Sequence, residues 1–220
     1  LAHAIKEVVM IPVIAVGRIQ DIRLAEEIVE KGQADLVSMG RALLADPYLP
    51  KKAAVGALDE INRCTACDEC ISRLVFNEEI ACSVNAALGK EEEYRIQKAK
   101  VAKKVLVVGG GPAGMEAARV SALRGHRVIL YEKSSRLGGQ LNLTTVPPHK
   151  EEIKNVTVYL EPQIRKLGVK VILGEEVTPS LVEKIKPDVV FIATGSVPIV
   201  PENLEVKRGN VAVANDVLAG

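Results

Sequence analysis

At 220 residues the chain has room for one or two domains with their own cores, and 48% hydrophobic with 26% charged residues is ordinary for a globular protein. A formal net charge of +1 without a basic run gives nucleic acid or an anionic membrane no electrostatic reason to bind. Trp is absent, with only two Phe and four Tyr to stack bases, and no apolar run approaches the roughly 20 residues that cross a bilayer.

The amino terminus, Leu1-Ala2-His3-Ala4-Ile5-Lys6, has neither an initiator Met nor a secretory pattern, so the chain reads as cytoplasmic and as a piece of something longer. Residues 11–16 form a short apolar run ending at Gly17-Arg18, which suits a buried parallel strand. Asp21 is a plausible N-cap for a helix with an apolar stripe at Ile22, Leu24, Ala25, Ile28 and Val29, closed by Gly32. Residues 36–39 are the next strand, ending at Gly40-Arg41, and Asp46-Pro47 is expected to cap a further helix with the proline at its first position. Two Gly-Arg pairs at strand ends, one βα unit apart, suit a phosphate site of the kind found after the last strands of a (β/α)8 barrel. They equally suit two surface arginines after tight turns.

Residues 59–100 lack periodicity and hold all four cysteines as Cys64-x2-Cys67-x2-Cys70-x11-Cys82, followed by a charged stretch that reads as a solvated linker. Three thiolates at this spacing can converge on one face of a [4Fe-4S] cubane, with a fourth arriving from further along. Zinc is the competing ligand, although zinc ribbons pair two separated Cys-x2-Cys knuckles, and free core cysteines are the bland reading. Clustering of this kind points to metal in a reducing compartment rather than to disulfides.

From Lys103 onward strands and helices alternate again. The expected strands are 105–108, 127–132, 169–173 and 188–193; the expected helices are 112–124, one from Pro147-Pro148 to Leu167 broken or kinked at Pro162, and one opened by Thr178-Pro179. Gly109-x-Gly111-x-x-Gly114 lies between strand and helix, as the dinucleotide fingerprint requires. There the first glycine turns tightly, the second admits a pyrophosphate and the third lets helix and strand pack. Glu132 ends the next strand, where a carboxylate can accept from ribose hydroxyls. His126 reads as structural; His3 and His149 have no partner at catalytic or metal spacing, and no nucleophile–base pair is visible.

In order, the chain reads Pro-Val-Ile-Ala-Val-Gly-Arg-Ile, Ser-Met-Gly-Arg-Ala-Leu-Leu-Ala-Asp-Pro, the cysteines, Val-Gly-Gly-Gly-Pro-Ala-Gly-Met-Glu-Ala-Ala, Arg-Leu-Gly-Gly-Gln-Leu and Ile-Ala-Thr-Gly. This run resembles the multidomain relatives of old yellow enzyme: 2,4-dienoyl-CoA reductase, trimethylamine dehydrogenase and the clostridial enoate reductases. The resemblance covers essentially the whole chain. It implies an α/β fold in which residues 1–58 are the last two βα units of an FMN-binding TIM barrel, 59–102 an iron–sulfur segment and linker, and 103–220 an incomplete Rossmann-like FAD or ADP domain. Gly17, Arg18, Gly40 and Arg41 would hold the FMN phosphate. Cys64, Cys67, Cys70 and Cys82 would ligate the [4Fe-4S] cluster. Gly109, Gly111, Gly114, Glu132, Gly139, Gln140 and Gly195 would contact the dinucleotide.

The implied activity is electron passage from NAD(P)H through FAD, cluster and FMN to an activated alkene. Two residues between Cys67 and Cys70 are closer to trimethylamine dehydrogenase than to bacterial dienoyl-CoA reductase, so an amine dehydrogenase with structural ADP is the alternative; a non-catalytic electron-transfer module is another. A full barrel takes roughly 250 residues, so the expected small-molecule substrate and the catalytic acid or base would engage a missing barrel portion. A homo-oligomer is the other way to cover the bare strands.

Overall fold

The computed structural model describes residues 1–199 and 211–220, and it is α/β with parallel sheets throughout, as expected. It divides into two compact units, Leu1–Arg95 and Ile96–Gly220. Among the described residues no helix is long and apolar enough to cross a membrane.

The first unit opens with helix α1 (Ala2–Lys6) and pairs strands β1 (Ile14–Val16) and β2 (Leu36–Ser38) in parallel across helix α2 (Ile22–Glu30). Asp21 is the N-cap of α2, its carboxylate accepting the Arg23 N–H at 3.0 Å. Val13, Ala15, Ile19, Ala25, Ala34, Met39, Ala42, Leu49 and Ile61 close the core. The other sides of both strands carry exposed Ile14, Val16 and Leu36. Parallel sheets are normally covered on both faces, so these side chains mark a face that a larger sheet would bury.

The segment after β2 departs from the sequence expectation. Gly40-Arg41 does not sit in a loop but begins helix α3 (Gly40–Ala45), and Asp46 is the C-cap of α3, not the cap of the next helix. Helix α4 (Leu49–Ala54) starts from Tyr48, with Pro50 rather than Pro47 in its first turn. The cause is the Asp46 carboxylate, 3% exposed, which turns inward and accepts from Tyr48 N at 3.0 Å, Asn62 N at 2.8 Å and Lys52 Nζ at 2.6 Å. A buried carboxylate holding three donors is costly to reorient toward a helix end. Within the span expected to be irregular, helix α5 (Glu69–Val75) forms. Its local signal was the Glu69–Arg73 pair, 2.7 Å apart at i,i+4 spacing, and apolar Ile71, Leu74 and Val75.

In the second unit β3 (Lys104–Val108), β4 (Arg127–Glu132), β5 (Lys170–Leu173) and β6 (Val189–Ile192) form a parallel sheet in the order β5-β4-β3-β6. Helix α6 (Pro112–Leu123) crosses between β3 and β4, with Pro112 at its first position. The short α7 (Leu141–Thr144) and α8 (Asn155–Lys166) precede β5; α9 (Pro179–Ile185) follows it, capped by the Thr178 hydroxyl as expected. A last helix, α10, spans Ala214–Ala219. Of the kink or break expected at Pro162, the break does not occur: α8 runs through it, with buried Leu160 and Ile164 on either side packed into the core with Met115, Ala118, Val107 and Leu130. His126 Nδ1 accepts the Lys103 N–H at 3.2 Å in the turn before β4, a structural role.

Candidate functional site

Three loops converge at the carboxyl end of the second sheet. The first is the Gly109–Gly111 turn between β3 and α6; Gly109 has φ +108° and Gly111 is the N-cap. A Cβ on Gly109 would run into the Ala193 carbonyl, and one on Gly114 into the carbonyl of Gly109, so both positions demand glycine for close backbone approach. Gly111 differs, since a Cβ there would meet nothing within 4 Å. The space over the helix N-terminus is therefore open at the position where a pyrophosphate would approach.

The second loop is 138–140. Gly138 N donates to Gly110 O at 2.9 Å, and a Cβ on Gly139 would lie 3.1 Å from Gly111 Cα, so this loop rests directly on the first. The third follows β6: Ala193 N donates to Val108 O at 2.8 Å, Gly195 has φ +77°, and Gln140 Nε2 donates to Ser196 O at 2.6 Å, tying the second loop to the third.

Glu132 closes the floor. Its Oε2 accepts from Gly110 N at 2.6 Å and its Oε1 from Ser134 N at 2.8 Å. Two carboxylate oxygens offer about four lone-pair sites, so acceptor capacity for a ribose remains. Burial pushes the Glu132 carboxyl up, but the Ser134 and Gly110 N–H donors outweigh it and hold it below the ordinary glutamate value. A lowered folded value means the stabilisation is complete above the ordinary glutamate range and is lost as pH falls through the folded value. Glu132→Gln is therefore expected to destabilise the unit by about 1–3 kcal/mol at neutral pH, because an amide N–H faces a backbone N–H. Thermal denaturation from neutral to acid pH checks this: the gap between wild type and variant should narrow on acidification. An unchanged gap would refute the assignment.

A cleft of about 600 Å³ lies at the other end of this sheet, among Lys104, His126, Arg127 and Lys170. Open parallel sheets bind ligands outside the carboxyl ends of their strands, so this cleft is not the candidate site.

In the first unit Cys64 and Cys67 precede α5, Cys70 lies in its first turn and Cys82 follows it. Cys64 and Cys70 are 7% exposed, Cys82 is half-buried and Cys67 is exposed. Ala66 (φ +52°) and Asp68 (φ +58°) flank Cys67 in the left-handed region, each at a cost of about 1–3 kcal/mol. Backbone donors meet sulfur here: Ala66 N lies 3.4 Å from Cys64 Sγ, and the Glu69 and Ile71 backbones hydrogen-bond Cys67 and Cys70; Ser83 Oγ and Cys67 Sγ share a hydrogen bond of 2.9 Å. Burial pushes Cys64 and Cys70 up, whereas at Cys67 the hydrogen bonds from Ser83 and Glu69 overcome burial and hold the thiol down. Cys67 and Cys82 each bear electrostatically on Cys64 and on Cys70.

Among the described residues no group of three or more His, Cys, Asp or Glu is set to grip a single metal ion. The four-cysteine donor set, with N–H groups directed at sulfur, fits a thiolate-bound inorganic centre.

Arg41 reaches toward this loop: its Nη1 donates to Asp68, and its charge favours the Cys64 thiolate. One bond to Asp68 leaves further guanidinium N–H donors for a phosphate. Gly17 has φ +128° and Arg18 φ +50°, a tight turn at the end of β1, and Gly40 lies after β2, the strand paired with β1. Asp68, Ser83 and Ser196 were not legible as site residues, because their partners lie 16 to 56 residues away in the chain.

Residues 2–60 match the NADH:flavin oxidoreductase / NADH oxidase family and residues 103–217 the pyridine nucleotide-disulphide oxidoreductase family. This chain belongs to the old yellow enzyme-related iron–sulfur flavoproteins. It is 47% identical over its whole length to an NADH oxidase of Thermoanaerobacter brockii, covering 35% of that protein. A solved 2-naphthoyl-CoA reductase superposes at a TM-score of 0.93 with 37% identity, over 97% of this chain and 33% of the other. Histamine dehydrogenase from Rhizobium sp. 4-9 gives 0.84 with 31% identity, over 89% and 29%. The chain thus spans about a third of the length of its relatives, and the family is one of oxidoreductases.

Proposed function

We propose that this chain is the electron-relay portion of an NAD(P)H-dependent flavoprotein that reduces an activated alkene. In this reading residues 1–58 complete an FMN-binding barrel, 59–102 carry a [4Fe-4S] cluster and 103–220 hold FAD. The observation that carries it is the cysteine segment: four cysteines within residues 64–82 with backbone N–H groups directed at sulfur, in a chain that also bears an open dinucleotide cradle. When bound, a flavin can take up the two electrons of a hydride and release them one at a time and the cluster carries one at a time, which would let NAD(P)H serve a separate reduction site.

This chain's own residues bind and orient. The Gly111 cradle would seat the pyrophosphate at the N-terminus of α6, with Glu132 accepting the ribose hydroxyls and Gly139, Gln140 and Gly195 lining the entrance. Gly17, Arg18, Gly40 and Arg41 would hold the FMN phosphate. The exposed Ile14, Val16 and Leu36 support a barrel completed by further strands. Thiolate ligation would suit a reducing compartment such as the cytoplasm.

The test is anaerobic preparation of the full-length protein. Iron and sulfide in equal amounts, with a broad visible band bleached by NAD(P)H, are expected; a colourless, iron-free protein would sink the proposal. A second reading, an amine dehydrogenase holding ADP, is favoured by the Cys67–Cys70 spacing and by the likeness to histamine dehydrogenase. Mild denaturation and chromatography separate the two, since released FAD and ADP elute apart. The 136–140 segment, which resembles the second flavin-contacting loop of the reductase branch, favours FAD.

A further inference from the structure

The loop that carries the cysteines is closed at its neck by side chains that sequence motifs do not single out. Asn62 lies two residues before Cys64 and Val84 two residues after Cys82, and Asn62 Nδ2 donates to Val84 O at 2.6 Å. That one bond joins the strands of chain entering and leaving the loop. Each strand is also anchored to the α3–α4 corner. On the entering side the buried Asp46 carboxylate accepts Asn62 N at 2.8 Å, while Lys52 Nζ bridges Asp46 at 2.6 Å and Glu60 O at 2.7 Å. On the leaving side Asn85 Nδ2 donates to Leu44 O at 2.9 Å, and its Oδ1 accepts Ala87 N at 3.3 Å.

The entering and leaving anchors therefore end on the same corner, Leu44 and Asp46. Cys64 and Cys82 hang from opposite sides of a neck whose width is set by the Asn62 amide. Cys67 and Cys70, on the intervening chain, are positioned by Ala66, Asp68 and the start of α5. We propose that Asn62, with Asp46 and Asn85 behind it, is a positioning clamp that sets the separation of Cys64 from Cys82 and so governs how firmly the four-thiolate set retains its inorganic centre. This rests on the cluster reading above. In this proposal Asn62 acts through the backbone on either side of the ligands, as partners behind a metal's ligands do.

Asn62→Asp tests it in the full-length holoenzyme. The substitution keeps shape but replaces the amide donor with an oxygen that faces the Val84 carbonyl. Loss of a supporting partner of this kind commonly costs 10–100-fold in metal retention, so iron release to a chelator is expected to accelerate about ten-fold or more. The flavins should stay bound, and the electron paramagnetic resonance signal of the reduced cluster should shift. Asn85→Asp, which loosens the leaving anchor alone, is expected to speed release in the same direction and serves if the first variant does not fold. Unchanged release from both variants, or release that rises only in step with flavin loss and lowered melting temperature, overturns the clamp while leaving the cluster reading standing. Wild-type protein without iron overturns the cluster reading and the clamp with it.

Discussion

A methyl group at Gly111 should leave the fold intact and weaken nucleotide binding, whereas one at Gly114 should destabilise the unit that carries it. The two glycines are three residues apart in one motif, yet their surroundings are opposite. At Gly111 a Cβ meets nothing within 4 Å and φ is −72°, so alanine fits without strain. The methyl would then occupy the space left for a pyrophosphate, and affinity for FAD or ADP should fall about ten-fold, or about 1.4 kcal/mol. At Gly114 the Cβ would overlap the Gly109 carbonyl, which is backbone packed against α6 and has no room to yield. Overpacking against a fixed group costs about 1–3 kcal/mol and here should reach at least the upper end. Thermal denaturation of the nucleotide-free proteins, with titration of FAD and of ADP, reads both effects. If Gly111→Ala binds as tightly as wild type, nothing sits in the cradle.

Cys70→Ser in the full-length protein is expected to reduce iron and sulfide to background while the dinucleotide stays bound. Cys70 is 7% exposed on α5, and burial pushes its thiol up. Serine is of similar size but is a far poorer ligand to iron, and a cubane missing one protein thiolate is exposed to hydrolysis and oxidation. If the cysteines were merely core side chains, the variant would lose modest stability and there would be no iron to lose. If they held zinc, the wild type would be colourless and would release zinc alone. Metal analysis with visible absorption separates the three outcomes.

Such contrasts reflect which features are local. Short apolar runs, the Gly109–Gly114 spacing, the caps at Asp21 and Thr178 and the clustering of the cysteines all lie within one element or one turn, so residue type and spacing alone announced the parallel α/β layout and the chemistry to look for. Helix α5 was missed because its apolar face and its Glu69–Arg73 pair occupy too short a stretch to show periodicity above the cysteine pattern. The role of Asp46 was misread because an Asp-Pro pair suits a helix start, and only the fold reveals that Asn62 and Lys52 compete for that carboxylate.

What only the tertiary structure decided are the contacts between residues far apart in the chain. These include the 138–140 loop lying on Gly111, Gln140 reaching Ser196, Arg41 reaching Asp68 and Asn62 closing on Val84. No spacing rule encodes them, because they depend on where packed elements bring their ends together. The amino-acid sequence determined which atoms could do the chemistry; burial and packing determined which of them meet, since a hydrogen bond forms only where folding has already met the entropic cost of bringing its partners together.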